Sequence, residues 1–115
     1  QKLKLRSEQT VPSWLKDMLA QMQDRNNIDK SPGDFIAVAP YSYSYVAKEF
    51  KRHMGCSVMN YLTSVKLNYA RDLLQNTELT TMEISSRIGF DSLSHFNHSF
   101  KKHFGYTPTE VRKKR

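Results

Sequence analysis

The chain has 115 residues, of which 18 are Lys or Arg and 11 are Asp or Glu, giving a formal charge of +7 at pH 7. This length permits one compact domain, or two very small ones that share an element, and it excludes a large enzyme scaffold. Hydrophobic residues make up 38% of the chain, enough for a core, which argues against overall disorder. The positive charge favours a polyanionic partner, either nucleic acid or an acidic membrane surface.

The cysteine content and the lengths of the apolar runs limit the cellular compartments in which the protein is expected to act. The single cysteine, Cys56, excludes an intrachain disulfide and a zinc site of paired cysteines, which favours a reducing, intracellular compartment. The apolar runs are too short to cross a bilayer, so no membrane-spanning segment is predicted. With the DNA contact that is predicted below, no membrane partner is expected. No signal peptide is visible. Because the chain starts at Gln1, we expect that an N-terminal part of the natural protein is missing and that any sensing domain lies there.

The first half of the chain predicts three helices. Pro12 precedes an apolar stripe with helical spacing, which predicts a helix that ends near residues 25–27. A loop is predicted over residues 29–33, and a short helix over 34–39 that Pro40 closes. Ser42 can cap the next helix, which Gly55 stops. The apolar positions that support the first and third helices are Trp14, Leu15, Met18, Leu19 and Met22, then Val46, Phe50 and Met54.

The second half predicts four more helices and no strand. The longest begins at Ser57 and ends at Gln75 or Asn76, with an apolar stripe of Val58, Tyr61, Leu62, Val65, Tyr69, Leu73 and Leu74. Three shorter helices follow, with these caps and stops: Thr80 and Glu83 with Gly89, Asp91 or Ser92 with Gly105, and Thr107 with Pro108 and Glu110. The predicted fold class is therefore all-α, with about seven helices.

An internal repeat appears when the chain is compared with itself at an offset of 50 residues. Identical residues occur at capping, core, basic and stop positions of both copies. Each copy therefore has the form of a helix-turn-helix unit. The identical pairs are Ser42 and Ser92, Ser44 and Ser94, Phe50 and Phe100, Lys51 and Lys101, His53 and His103, and Gly55 and Gly105.

The outer face of each repeated helix predicts a contact with DNA. If Val46, Phe50 and their counterparts point inward, small polar, amide and imidazole groups point outward together with a lysine. This composition suits a helix in the major groove, with donors for base edges and cations for phosphates. The candidate DNA-binding residues are Tyr43, Ser44, Ala47, Lys48 and Lys51 in the first copy, and Leu93, Ser94, Asn97, His98 and Lys101 in the second.

The helix between the two copies suggests the spacing of the site. A helix of about 19 residues is ~28 Å long, close to the ~34–36 Å between successive major grooves on one face of a duplex. This predicts a bipartite site with boxes about one turn of DNA apart.

The expected domain boundaries are a linker over 1–11, helix-turn-helix subdomains over 12–56 and 77–115, and a linker helix over 57–76. The basic tail over 112–115 is expected to reach phosphates or to keep the domain soluble.

Other functions have weaker support. His95, His98 and His103 suggest a metal site, but no acidic or thiol residue stands at a matching spacing, so no metal is expected. The sequence has no nucleophile with a base, no glycine-rich phosphate loop and no usefully spaced carboxylates, so no enzymatic activity and no cofactor are expected. A basic helical module for protein interaction, without sequence-specific DNA binding, stays as the alternative.

From about residue 12 to residue 115, and most densely from Lys66 onward, the chain resembles the C-terminal signature of the AraC/XylS family of bacterial transcription regulators. The resemblance rests on Lys66 to Leu74, Ile84, Gly89-Phe90, Ser94-His95-Phe96, Phe100-Lys101-Lys102, Gly105, Thr107-Pro108 and Arg112. It implies a cytoplasmic DNA-binding domain, on the bacterial nucleoid, with two helix-turn-helix units joined by a long helix. It also implies activation through RNA polymerase and dimerisation, if any, through an N-terminal domain.

The departures from the family pattern are few. Lys66 stands where the family usually has Arg, and Ser85 where Ala is commoner. Pro40 makes the first turn unusual because it removes a backbone donor. Within the family, the turn over 39–42 and the pair Phe96-Asn97 faintly resemble regulators of chitobiose or cellobiose operons.

Overall fold

The structure, a computed structural model, describes residues 11–115, and these contain seven α-helices, one 3-10 helix and no strand. The all-α prediction with seven helices is confirmed. The predicted linker over 1–11 lies, apart from Val11, outside the described residues. In chain order the elements are α1 (Ser13–Gln23), the 3-10 helix (Arg25–Asn27), α2 (Pro32–Ala37), α3 (Tyr43–Met54), α4 (Val58–Asn76), α5 (Thr81–Arg87), α6 (Leu93–Phe104) and α7 (Pro108–Lys113).

Helix α2 corrects the prediction of a loop over 29–33 followed by a helix over 34–39. It begins at Pro32 and ends at Ala37, so the Pro-Gly pair belongs to its first turn. Proline is favoured at the first helical position because its missing N–H would have no partner there. The backbone N–H of Ser31 donates to Oδ2 of Asp34 at 2.9 Å, which is half of a capping box. These two local signals outweigh the turn propensity of the Pro-Gly pair.

The two repeated helices, α3 and α6, have the same length and the same ends. Each has 12 residues. The Oγ atoms of Ser42 and Ser92 each accept from the N–H three residues later, at 3.2 and 3.0 Å, so Ser92 rather than Asp91 caps α6. Gly55 and Gly105 end them with φ of +77° and +87°, the left-handed conformation that glycine adopts without strain. The repeat predicted from the sequence is therefore structural.

The chain forms two compact units, each with its own hydrophobic cluster. The first comprises, within the described part, residues 11–27 and 31–62, and the second comprises 28–30 and 63–115. Helix α4 contributes residues to both clusters. The first cluster contains Leu15, Met18, Met22, Phe35, Ile36, Val46, Phe50, Val58 and Leu62. The second contains Ile28, Leu67, Ala70, Leu73, Leu74, Ile84, Ile88, Phe96, Phe100 and Val111.

Every residue of the stripe predicted for α4 lies in one of the two clusters or packs against it, and the stripe omitted two residues that are also buried. Tyr61, Val65 and Tyr69 are only half-buried, whereas Leu67 and Ala70 are fully buried. The helix packs in two different units, so its buried face does not follow one straight stripe along its whole length.

Among the described residues, no helix is both long and apolar enough to cross a membrane.

Two residues of the basic tail make contacts that the sequence did not predict. Arg112 donates to the carbonyl oxygens of Leu74 and Thr77, at 3.3 and 3.0 Å, and Arg115 donates to the same two oxygens, at 2.8 and 2.6 Å. Arg115 also pairs with the carboxylate of Glu78. These carbonyls lie at and just beyond the C-terminal end of α4, where a helix leaves acceptors unsatisfied. Two of the tail cations thus bind the protein itself.

Candidate nucleic-acid interface

Helix α3 presents the outer face that the sequence predicts. Val46 and Phe50 are completely buried, which confirms that this pair points inward. The rest of the helix therefore turns its opposite side to solvent. Of the five candidate residues on α3, Ala47 is half-buried and the other four are exposed: Tyr43, Ser44, Lys48 and Lys51.

A shallow apolar hollow lies beside this face, and sequence reasoning missed it. Four of the candidate residues line it, together with residues of α2 and of the first turn of α4. Met59, in that first turn, leaves 63% of its surface exposed. The only signal in the sequence was a large apolar side chain two residues after the capping Ser57, where a solvated residue is expected. The lining includes Pro32, Ile36, Tyr43, Ala47, Lys48, Lys51, Val58 and Met59.

Helix α6 presents the second predicted face with one difference. Phe96 and Phe100 are completely buried, so their inward assignment is confirmed. Leu93 is only partly exposed because it packs against the second hydrophobic cluster. The remaining candidates are exposed: Ser94, Asn97, His98 and Lys101. This face therefore carries a hydroxyl, an amide, an imidazole and an ammonium within about two turns.

The charge on both faces is positive because the acidic groups are few or paired. Helix α6 has no acidic residue, and Glu49 is the acid of α3. The Arg52 guanidinium donates to Glu49 at 2.8 Å, and this hydrogen bond holds the pKa of the carboxyl below its usual value of 4.5. Both helices end in basic residues, Lys51 to His53 and Lys101 to His103, which the negative C-terminal end of a helix dipole stabilises.

Two of the three histidines that suggested a metal site, His95 and His103, have aromatic neighbours. The His95 ring lies 4.9 Å from Phe90, and the His103 ring lies 4.6 Å from Phe104, measured between ring centroids. Within residues 11–115, no three His, Cys, Asp or Glu side chains come close enough together to hold a metal ion.

The chain contains two helix-turn-helix units, and each has an exposed helix whose polar face carries cations. These features define the class of protein as a DNA-binding domain. A known helix-turn-helix domain family matches residues 36–114. A crystal structure of a transcriptional regulator with an AraC-type DNA-binding domain, from Chromobacterium violaceum, is 30% identical to the chain and superposes with a TM-score of 0.77, covering 87% of this chain and 89% of that one. The chain belongs to the AraC family of helix-turn-helix transcription regulators.

Two further proteins are similar. The C-terminal domain of AraT, a response regulator from Geobacillus stearothermophilus, is 26% identical with a TM-score of 0.82, over 92% of this chain and 88% of that one. The F1 operon positive regulatory protein of Yersinia pestis is 38% identical over 77 residues, which are 67% of this chain and 26% of that protein. The chain spans about a quarter of the length of the first curated relatives it matches.

These likenesses confirm the family resemblance and the predicted function, DNA binding by a transcription regulator. The narrower likeness to chitobiose or cellobiose operon regulators stays a prediction.

Proposed function

We propose that this domain binds a bipartite site in duplex DNA, with α3 and α6 each contacting base edges in a major-groove segment. The observation that carries the proposal is the repeated design of the two helices. They have the same serine cap and the same glycine stop, and each buries two residues four positions apart. Each leaves a polar, cationic face in solvent, and a groove contact is the use that explains both faces together.

The α6 face supports the more specific contacts. The amide of Asn97 can bind adenine with two hydrogen bonds, and His98 can donate to guanine or to a phosphate. Ser94 is proposed to contact either a base or the backbone, and Lys101, near the end of the helix, a phosphate. Leu93 is proposed to offer its exposed part to a thymine methyl group.

The α3 face supports fewer base contacts. Lys48 is the best donor for a guanine or a nearby phosphate, with Ser44 beside it, whereas Ala47 can contact only a thymine methyl group. Tyr43 is proposed to pack on the sugar-phosphate backbone, and Lys51 to bind a phosphate. The length of α4, 19 residues or about 28 Å, supports a spacing of about one DNA turn between the two boxes.

We also propose the subdomain boundaries and the role of the domain in transcription. The boundaries 12–56, 57–76 and 77–115 are kept for the first helix-turn-helix, the linker helix and the second helix-turn-helix. Activation of transcription is supported by the likeness to the F1 operon positive regulatory protein of Yersinia pestis. A contact with RNA polymerase is proposed together with it. Dimerisation, if it occurs, is proposed to lie N-terminal to this domain. Such a protein acts on the bacterial nucleoid.

The test is a selection of duplexes from a genomic fragment pool by the purified 115-residue chain, near physiological salt because affinity falls steeply with salt. We expect a motif with two boxes about one turn apart. Two double variants assign the boxes: Ser44→Ala with Lys48→Ala should erase one box, and Ser94→Ala with Asn97→Ala the other. Lys16→Ala, on the exposed side of α1, is the control and should leave the motif intact.

The selection has two outcomes that contradict the proposal. Recovery of a single box would show that one of the two helices contributes no sequence preference. The absence of any enriched sequence would show binding without sequence specificity, and the bipartite proposal would then be wrong.

A further inference from the structure

A buried lysine lies inside the second unit. Lys66, on α4, is 7% exposed although it belongs to a strongly basic chain. Its Nζ donates to the carbonyl oxygen of Ile88 at 2.7 Å and to that of Ile28. An ammonium group is costly to bury unless hydrogen bonds replace its hydration. These two carbonyls therefore hold the side chain in one place, away from solvent.

One of these carbonyls belongs to the turn of the second helix-turn-helix. Ile88 is the C-terminal cap of α5, and the turn that follows leads to α6 through Gly89, whose φ is +85°. The positive charge of Lys66 thus lies at the negative end of the α5 dipole. A fixed ammonium at this place restrains the last turn of α5 and the start of the connection to α6.

The other carbonyl brings a second piece of backbone against the same turn. Ile28 is buried in the second cluster, and residues 28–30 are part of the second unit. A Cβ atom on Gly89 would lie 2.6 Å from the carbonyl oxygen of Asp29, so the backbone of this segment touches the turn directly. Lys66 therefore joins three pieces: α4, the segment 28–30 and the α5–α6 turn.

The first copy of the repeat has no matching arrangement at the equivalent positions. The counterpart of Lys66, fifty residues earlier, is Lys16, which is exposed on α1. The counterpart of Ile88 is Val38, the C-terminal cap of α2, which is 80% exposed. This contact of Lys66 with two backbone carbonyls, called the clamp below, is thus a property of the second copy, whose outer face carries an amide and an imidazole that the first face lacks.

We propose that Lys66 is a positioning residue for DNA recognition by α6. Its ammonium fixes the α5–α6 turn against the segment 28–30, and it thereby sets the orientation at which Ser94, Asn97 and His98 meet the base edges. Lys66 itself does not contact DNA. The inference rests on the proposed function, because it assigns this role only if α6 contacts one of the two boxes.

The first measurement needs no DNA. The amides of Gly89 and Phe90 donate within the turn, to the carbonyls of Ser86 and Ser85, both at 3.0 Å. In Lys66→Met, which keeps the length but loses the donors, we expect hydrogen exchange of these two amides to accelerate about tenfold or more. Amides of α3 should be unchanged. Lys66→Arg should keep exchange close to that of the original protein, because a guanidinium also donates to carbonyls.

The second measurement uses the selected duplex and two versions in which one box is scrambled. Lys66→Met should weaken binding to the intact duplex about tenfold relative to the original protein. On the duplex whose α6 box is scrambled, the variant and the original protein should bind equally. The slope of affinity against salt concentration should not change, because Lys66 is not proposed to contact a phosphate. Removal of a phosphate contact would lower the slope by about 0.9. Lys66→Arg should restore binding. Lys16→Met, the exposed counterpart with the same charge change, should bind like the unchanged protein.

Several outcomes overturn the proposal. One is a Lys66→Met protein with unchanged exchange at the turn and unchanged affinity, while the original protein still needs both boxes. A loss that persists with the α6 box scrambled, or a smaller salt slope, would instead make Lys66 a phosphate contact. If Lys66→Met does not fold, Lys66→Gln replaces it, and unchanged exchange and affinity there also refute the role. If the original protein ignores the α6 box, the proposed function fails, and the exchange experiment still tests the clamp.

Discussion

Phe100 gives the clearest test of which side of α6 is buried. The side chain is completely buried, and its ring centroid lies 4.7 Å from that of Phe104 and 5.7 Å from that of Phe96. Truncation of a fully buried phenylalanine to alanine costs about 3–5 kcal/mol. A domain of this size has a free energy of unfolding of about 5–15 kcal/mol. Phe100→Ala should therefore remove a large part of the stability.

The matched comparison is Phe104→Ala, one turn further along the same helix. Phe104 is only half-buried, and the guanidinium of Arg71 lies 4.5 Å from its ring centroid. Its truncation removes the same atoms but less buried surface, so we expect a smaller loss than for Phe100→Ala. The assay is urea unfolding followed by far-UV circular dichroism. Equal losses for the two variants, or a loss below about 1 kcal/mol for Phe100→Ala, would refute the inward assignment and with it the outer face.

Three further predictions follow from single features. Gly89→Ala should destabilise the domain more than Gly105→Ala, measured by urea unfolding, because both have positive φ but only the Cβ at Gly89 would meet backbone, at 2.6 Å from Asp29. The N-cap hydrogen bonds to Glu83 hold its pKa below the usual value of 4.5, so its contribution to stability is present above pH 4.5 and is lost as the pH falls through the lower folded pKa. Glu83→Gln should therefore weaken the pH dependence of thermal unfolding between neutral and acidic pH, and an unchanged profile would contradict this. Asn97→Ala should cost about 1–3 kcal/mol at one base position, and unchanged binding across all single-base variants of the selected duplex would remove Asn97 from base recognition.

Local signals were sufficient to predict most helices. The serine caps and stop glycines of α3 and α6 act within one turn of the helix they bound, so their effect can be predicted from a few neighbouring residues. The alternation of Phe96 and Phe100 with exposed residues likewise predicted the outer face of α6. Helix α2 was misplaced because Pro32 and Gly33 favour a turn by themselves, and the cap formed with Asp34 changes their role.

The features that were missed depend on distant partners. Lys66 is buried by contacts with carbonyls 38 and 22 residues away, which no local pattern reveals. Arg112 binds the end of α4 across 38 and 35 residues. In such a basic chain, the sequence alone would allow both cations to be DNA contacts. Only their positions in the fold distinguish cations that bind the protein's own backbone from cations that face solvent.

The presence of two separate hydrophobic clusters has a consequence for the history of such proteins. Each repeated helix packs in an interior of its own, so a substitution among the residues of one cluster removes no contact from within the other. Substitutions can then accumulate at different rates in the two halves. The clamp around Lys66, which the equivalent described positions of the first copy lack, makes the second half the more constrained of the two. Substitutions in the interior should therefore be tolerated more readily in the half that contains α3.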